Sequence, residues 1–140
     1  MRVVAPSVVV DTGPIVALLD ADEANHSWVV GQLRNLRPPL VTCEAVLTEA
    51  TFLIARVGAD PGLVTDLVTR GLLTIVALFD GDSDAVGRLI RRYSDVPMSL
   101  ADACLVRIVE RTQNATLLTL DSDFRVYRQK GRRIIPLLTP

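Results

Sequence analysis

Apolar positions along this chain fall into short continuous runs that alternate with stripes of helical spacing. The first run, Val8-Val9-Val10, is β-branched throughout and reads as a short strand buried on both faces. It ends on a carboxylate, Asp11. Gly13 and Pro14 turn the chain, and Ile15 to Leu19 restarts it as a helix, with Pro14 suited to a first turn that needs no N–H. A weaker amphipathic segment from Ala24 to Leu36 stops at Pro38-Pro39. Leu40-Val41-Thr42 is a second strand. From Cys43 to Val57, the residues Val46, Ala50, Leu53, Ile54 and Val57 recur on one helical face. Asp60 and Pro61 fit the cap and first position of the next helix, which Gly71 closes. Leu73 to Phe79 reads as a strand. Ser83 then suits the cap of a helix carrying Val86, Leu89, Ile90 and Tyr93. Ala101, Leu105, Ile108 and Val109 set a further helical face. Thr116 to Leu120 is a buried-looking strand, Arg125 to Lys130 a short basic helix ended by Gly131, and Arg133 to Leu138 a last strand.

Strands alternating with helices imply βαβ units and a mostly parallel sheet. The 140 residues suit one domain spanning 1–140 with its own core. The chain is 49% apolar but only 4% aromatic, which favours an aliphatic α/β core over an aromatic-rich β-sandwich.

Against this pattern, four acids occupy awkward places. Asp11 and Asp121 each terminate a buried-looking strand. In open parallel sheets, ligands collect at the carboxyl ends of the strands. Glu49 lies three residues after Val46 and four before Leu53, on the apolar face of its helix; Glu44 points to the opposite, solvated side. A carboxylate on a buried stripe costs several kcal/mol unless it is paired or metal-bound. Asp102 stands in a first helical turn, three residues after Ser99. Three of them also have a plain structural reading: helix cap for Asp11, capping box for Asp102, buried ion pair for Glu49. Asp123 reads as a second acid of the same group or as a turn residue.

Charge and minor residues change the picture little. The formal net charge is −1, so no global field marks a nucleic-acid partner. If Asp11, Glu49, Asp102, Asp121 and Asp123 face a cation, 15 basic residues remain against 11 acidic ones. All the basic residues but Lys130 are arginines, and Arg88, Arg91 and Arg92 read as a solvated helix face or an RNA contact. Cys43 and Cys104 match no metal spacing and read as reduced core residues. His26, the only histidine, reads as a surface residue. No secretory leader is expected after Met1-Arg2, since Asp11 and Pro14 break the apolar run. No apolar stretch is long enough to span a membrane, so a cytoplasmic protein is expected.

Clustered carboxylates repel one another and persist where a divalent cation offsets their charge. Oxygen-only ligands suit Mg²⁺ or Mn²⁺. No serine, cysteine or histidine nucleophile has its partners, and there is no Gly-rich phosphate loop. The chemistry left is metal-activated water attacking a phosphodiester.

Four motifs, Val9-Val10-Asp11-Thr12, Leu47-Thr48-Glu49-Ala50, Leu100-Ala101-Asp102-Ala103 and Leu118 to Phe124, resemble in order and spacing the acidic motifs of PIN-domain ribonucleases. The resemblance implies a five-stranded, mostly parallel sheet with helices on both sides, and Mg²⁺- or Mn²⁺-dependent endonucleolytic cleavage of RNA. A lone domain of this size resembles a VapC-type toxin of a bacterial toxin–antitoxin pair, implying a homodimer held by a cognate antitoxin. By that match Asp11, Asp102 and Asp121 ligate the metal. Glu49 completes the catalytic set by holding a water on the ion or a second ion, and Thr12 is the small hydroxyl residue after the first acid. Three other readings compete: an RNA-processing PIN nuclease without antitoxin, a phosphate-accepting signalling domain, and a non-catalytic RNA-binding module. The signalling domain needs a lysine beside the acids, for which Lys130 is the only candidate. The RNA-binding module lacks basic patches interleaved with aromatics.

Overall fold

A computed structural model describes residues 6–140; the reading of Met1-Arg2 lies outside the described residues. The elements run β1 (Ser7–Val10), α1 (Thr12–Leu19), α2 (His26–Leu33), β2 (Leu40–Thr42), α3 (Glu44–Arg56), α4 (Gly62–Thr69), β3 (Leu73–Ile75), α5 (Phe79–Arg92), α6 (Leu100–Arg111) and β4 (Ala115–Leu118). A single 3₁₀ turn at Ser122–Arg125 follows, then β5 (Arg128–Gln129), β6 (Arg133–Ile134) and β7 (Leu137–Leu138). Five strands form one sheet in the order β3-β2-β1-β4-β7, every pairing parallel. This is the five-stranded α/β architecture with helices on both faces.

β1 is central because both of its faces are covered, which its Val-rich run tolerates. Val9 and Val10 pair with Leu117 and Leu118 of β4 and share one buried core with Val46, Ala50 and Ile54 of α3. The Thr42 hydroxyl donates to the Val10 carbonyl at 2.8 Å, tying β2 to the end of β1. Register does the positioning: Val10 pairs with Leu118, so Asp11 and Thr119 leave the sheet side by side. The Asp11 N–H still donates to the Leu118 carbonyl at 3.0 Å.

Several segments differ from the sequence pattern. The strand expected over Leu73 to Phe79 stops at Ile75. α5 starts at Phe79, ahead of the expected Ser83 cap, and Asp80 and Asp82 fall in its first turn, where the helix dipole favours acids. No basic helix forms over Arg125 to Lys130. Instead β5 and β6 make a two-residue antiparallel hairpin, turned by Lys130 and Gly131 with φ of 51° and 83°. Pro136, with no N–H, separates β6 from β7, so the expected last strand is two short ones. His26 is half-buried rather than a surface residue; its Nδ1 lies 2.6 Å from the Ala17 carbonyl. Cys43 and Cys104 are buried and unbridged, as expected.

The covered carboxylate of Asp82 joins α5 to α6. It accepts from Arg107 Nε at 2.8 Å and from Arg111. The Arg107 hydrogen bond, with the charge of Arg111, holds this carboxyl below its usual range. A depressed carboxyl stabilises the fold above its unfolded pKa and loses that contribution as pH falls through the folded one. Asp82→Asn should therefore melt lower than the wild type at pH 7, and the gap should close below about pH 4. A gap that persists unchanged in acid would show that the ion pairs are not its source.

Candidate active site

Each acid reaches the same cleft from a different element. Asp11 directly follows β1 and caps α1: its Oδ1 accepts from the Thr12 N–H at 2.7 Å. Its Oδ2 accepts from the Thr119 hydroxyl at 2.8 Å, and the same hydroxyl oxygen accepts from the Asp121 N–H at 3.0 Å. Thr119 thus couples the ends of β1 and β4. Close approach helps: a Cβ on Gly13 would lie 3.3 Å from the Leu120 Cβ, so a side chain there would push the two loops apart. Asp121 caps the 3₁₀ turn, its Oδ1 accepting from the Asp123 N–H at 2.9 Å.

Asp102 enters from the first turn of α6. Ser99 and Asp102 form a reciprocal capping box, with the Asp102 N–H donating to Ser99 Oγ at 3.0 Å. The Tyr127 hydroxyl also donates to Asp102 Oδ2 at 2.9 Å. Tyr127 is itself fully buried, edge-on to Tyr93 and Phe124 with ring centroids 5.0 and 5.2 Å away. Such packing fixes the hydroxyl that orients Asp102. Glu49 enters from α3, where Thr12 Oγ1 donates to its Oε1 at 3.2 Å.

Asp11, Thr12, Glu49, Asp102 and Asp121 together line an open cleft of about 450 Å³, with Gly13, Leu53, Leu120 and Ser122 completing its wall. Glu44 faces a different pocket. Asp123 and Lys130 do not line the acid cleft; Lys130 stands on the hairpin turn, its N–H bonded to Glu110. Helical phase thus picks Glu49 over Glu44, but the expected burial does not hold. Val46, Ala50 and Ile54 are fully buried, while Glu49 is exposed on the cleft rim. Its place between core and solvent removes the need for a buried counter-ion. The capping readings of Asp11 and Asp102 hold alongside their places in the cleft. Thr119 and Tyr127 carry no sequence signal of their own.

Electrostatics mark the same group. Burial lifts the Asp11 carboxyl to about 6, against the Thr119 and Thr12 hydrogen bonds, and the charges of Asp102 and Asp121 add to the rise. Burial likewise raises Glu49 and Asp102, with further help from neighbouring acids. A divalent cation reverses each of these effects, and carboxylate and hydroxyl oxygens are the donors that Mg²⁺ or Mn²⁺ takes. Among the described residues, no trio of His, Cys, Asp or Glu forms a ready-made ion cage. By donor chemistry and charge, the acids of this cleft nevertheless fit such an ion.

Residues 8–130 match the PIN domain. The chain belongs to the PIN-domain family. It is similar to Ribonuclease VapC26 of Mycobacterium tuberculosis, 29% identical over 116 residues that make up 81% of this chain and 86% of that protein. Its fold superposes on the crystal structure of M. tuberculosis VapC20, described as a sarcin–ricin loop cleaving toxin. That match has a TM-score of 0.78 at 19% identity and covers 91% of this chain and 99% of the other. Both relatives are VapC proteins, in keeping with the four acidic motifs. Among the described residues, no helix is long and apolar enough to cross a membrane.

The shared cleft has a thermodynamic consequence. A carboxyl whose folded pKa is raised destabilises the fold once pH exceeds the unfolded pKa, because ionisation is then harder in the folded chain. For Asp11, raised from 3.8 to about 6, the neutral-pH cost is about 3 kcal/mol at 1.36 kcal/mol per pH unit. Asp102→Asn keeps the cap and an acceptor for Tyr127 while removing one of the like charges. In EDTA at pH 7 and low salt it should melt a few degrees above the wild type, with the advantage fading as pH falls to about 4. A variant that melts lower at pH 7 would assign Asp102 to helix capping alone.

Proposed function

We propose that this protein is a Mg²⁺- or Mn²⁺-dependent endoribonuclease, the toxin of a toxin–antitoxin pair. The observation that carries the proposal is the meeting of Asp11, Glu49, Asp102 and Asp121, from four separate elements, in one open cleft at the carboxyl edge of a parallel sheet. The likeness to VapC26 supports ribonuclease activity, and the name of VapC20 supports RNA as the substrate class.

Asp11, Asp102 and Asp121 would hold the ion, which when bound offsets phosphate charge and makes water a nucleophile near neutral pH. Thr119 orients Asp11 and steadies the backbone that carries Asp121. Ser99 and Tyr127 orient Asp102. Glu49, half in solvent and held by the Thr12 hydroxyl, accepts at a carboxylate oxygen the proton that the attacking water gives up. Its raised pKa suits it to that task. The openness of the cleft admits a polynucleotide. A cognate antitoxin, a homodimer and a cytoplasmic location complete the proposal; VapC kinship supports the antitoxin.

Total RNA incubated with the protein should acquire new internal ends in Mg²⁺ or Mn²⁺ and none in EDTA, as read by end mapping. Undiminished cleavage in EDTA, by a preparation free of other nucleases, would refute the mechanism. Glu49→Gln should lose about 100-fold or more of the cleavage rate, as removal of a general base does, and Glu44→Gln only a few-fold. Equal small losses would remove Glu49 from the reaction. Tyr127→Phe keeps the ring packing but frees Asp102; it should weaken Mg²⁺ binding by about 10-fold, measured by calorimetry. Unchanged affinity would limit Tyr127 to the core.

A further inference from the structure

The arginines of α5 have no part in the proposed chemistry. Arg88 and Arg92 stand one turn apart on that helix, both exposed. With Ala85, Leu89, Arg107 and Glu110 they line an open groove of about 360 Å³ between α5 and α6, which shares no lining residue with the acid cleft. The positive charges there differ in how far they are neutralised. Arg107 binds Asp82 and Glu110, and the other oxygen of Glu110 accepts from the Lys130 N–H. Arg88 pairs with Asp84 at 2.6 Å, an exposed contact that adds little in water. Arg92 has no carboxylate partner among the described residues. Its Nη2 donates to the neutral Gly131 carbonyl, and its guanidinium carbon lies 5.3 Å from the Tyr93 ring centroid. A guanidinium held in place with donors to spare suits a phosphate, which it grips through parallel N–H bonds.

The groove also lies within reach of the acids. Gly131 is four residues from Tyr127, whose hydroxyl holds Asp102, so about 14 Å of chain at most separates them. Lys130, Arg132 and Arg133, all exposed, flank Gly131 on the β5–β6 hairpin. Positive charge that runs from a groove along a hairpin towards the acid cleft suits a chain of phosphates better than an isolated one.

We propose that this groove is a second RNA-binding site, in which Arg88 and Arg92 hold a backbone phosphate of the RNA whose scissile bond lies in the acid cleft. The site rests on the ribonuclease reading and gives a binding role to a face outside the cleft. Its contacts position the strand and carry no base preference. They hold substrate and transition state alike, so they lower KM and leave kcat unchanged.

The test is fluorescence anisotropy of a labelled single-stranded RNA oligonucleotide with the full chain in EDTA, repeated over a range of salt. The double variant Arg88→Gln, Arg92→Gln should bind about 10-fold more weakly at about 0.1 M salt. Its slope of log affinity against log salt should be shallower by about 1.4, the value for two phosphate contacts on a single strand. The double variant Arg34→Gln, Arg70→Gln removes two exposed arginines beyond the ends of α2 and α4 and should change both quantities little. With Mg²⁺ present, KM for RNA should rise by a similar factor at constant kcat. Unchanged affinity and slope, equal losses in the two double variants, or a fall in kcat at constant KM would overturn the proposal. Inorganic phosphate that binds through Arg88 and Arg92 while RNA does not would overturn it too. Should the double variant lack a cooperative melt, Arg88→Gln alone, at an exposed position, should make the slope shallower by about 0.7. RNA held through these arginines by a protein that cuts none would refute the nuclease reading and keep the site; cleavage with unaltered affinity would do the reverse.

Discussion

The structure turns on one desolvated carboxylate. Asp11 is 6% exposed and sits at the end of a buried central strand, a place where a charge is expensive. It is tolerated because both of its oxygens have donors, the Thr12 N–H and the Thr119 hydroxyl. The first is local to the chain; the second reaches Asp11 because β1 and β4 pair in the register that sets it beside Thr119. The same hydroxyl takes the Asp121 N–H, so one threonine places two acids of the cleft. A slip of one residue between these strands would turn Asp11 or Thr119 to the other face and disperse the site.

The remaining acids answer to different constraints. Asp102 is fixed by a capping box within its own helix and by a tyrosine 25 residues away. Glu49 has a single side-chain bond, to Thr12, and borders solvent. Asp11 and Asp102 are thus held from two sides, whereas Asp121 is exposed and tied by its carboxylate to its own turn, and the candidate base keeps access to water. Carboxylates gathered in this way oppose folding at neutral pH, so a bound cation acts on stability as well as on chemistry.

Much of this was legible in the sequence, for identifiable reasons. A Val-rich run that ends on Asp11 marks a strand end without knowledge of the fold; the second apolar run reads as a strand up to Leu120, whereas β4 stops at Leu118 and Asp121 stands in the turn beyond it. Ser99 and Asp102 announce a helix start through local spacing. Helical phase separates Glu49 from Glu44, but phase alone does not say how far a stripe is covered, and Glu49 lies past its edge. Thr119 and Tyr127 could not be found, because their roles arise from strand register and from the packing of Tyr93, Phe124 and Tyr127. The β5–β6 hairpin was hidden because Arg128, Gln129 and Arg133 show no apolar alternation; Lys130-Gly131 was its only trace. Asp82 carries no signal in the sequence, because its partners Arg107 and Arg111, one turn apart on α6, are brought to it by tertiary packing.

The central claim is that folding buries Asp11, with Asp102 and Asp121 beside it, so that desolvation first and like charge second oppose its ionisation, and that a divalent cation relieves it. Carboxyl-carbon NMR of the metal-free protein, titrated with and without Mg²⁺, measures this directly. The Asp11 carboxyl should titrate near pH 6 without metal and clearly lower with it. A midpoint in the ordinary range near 4 that Mg²⁺ does not move would contradict the account.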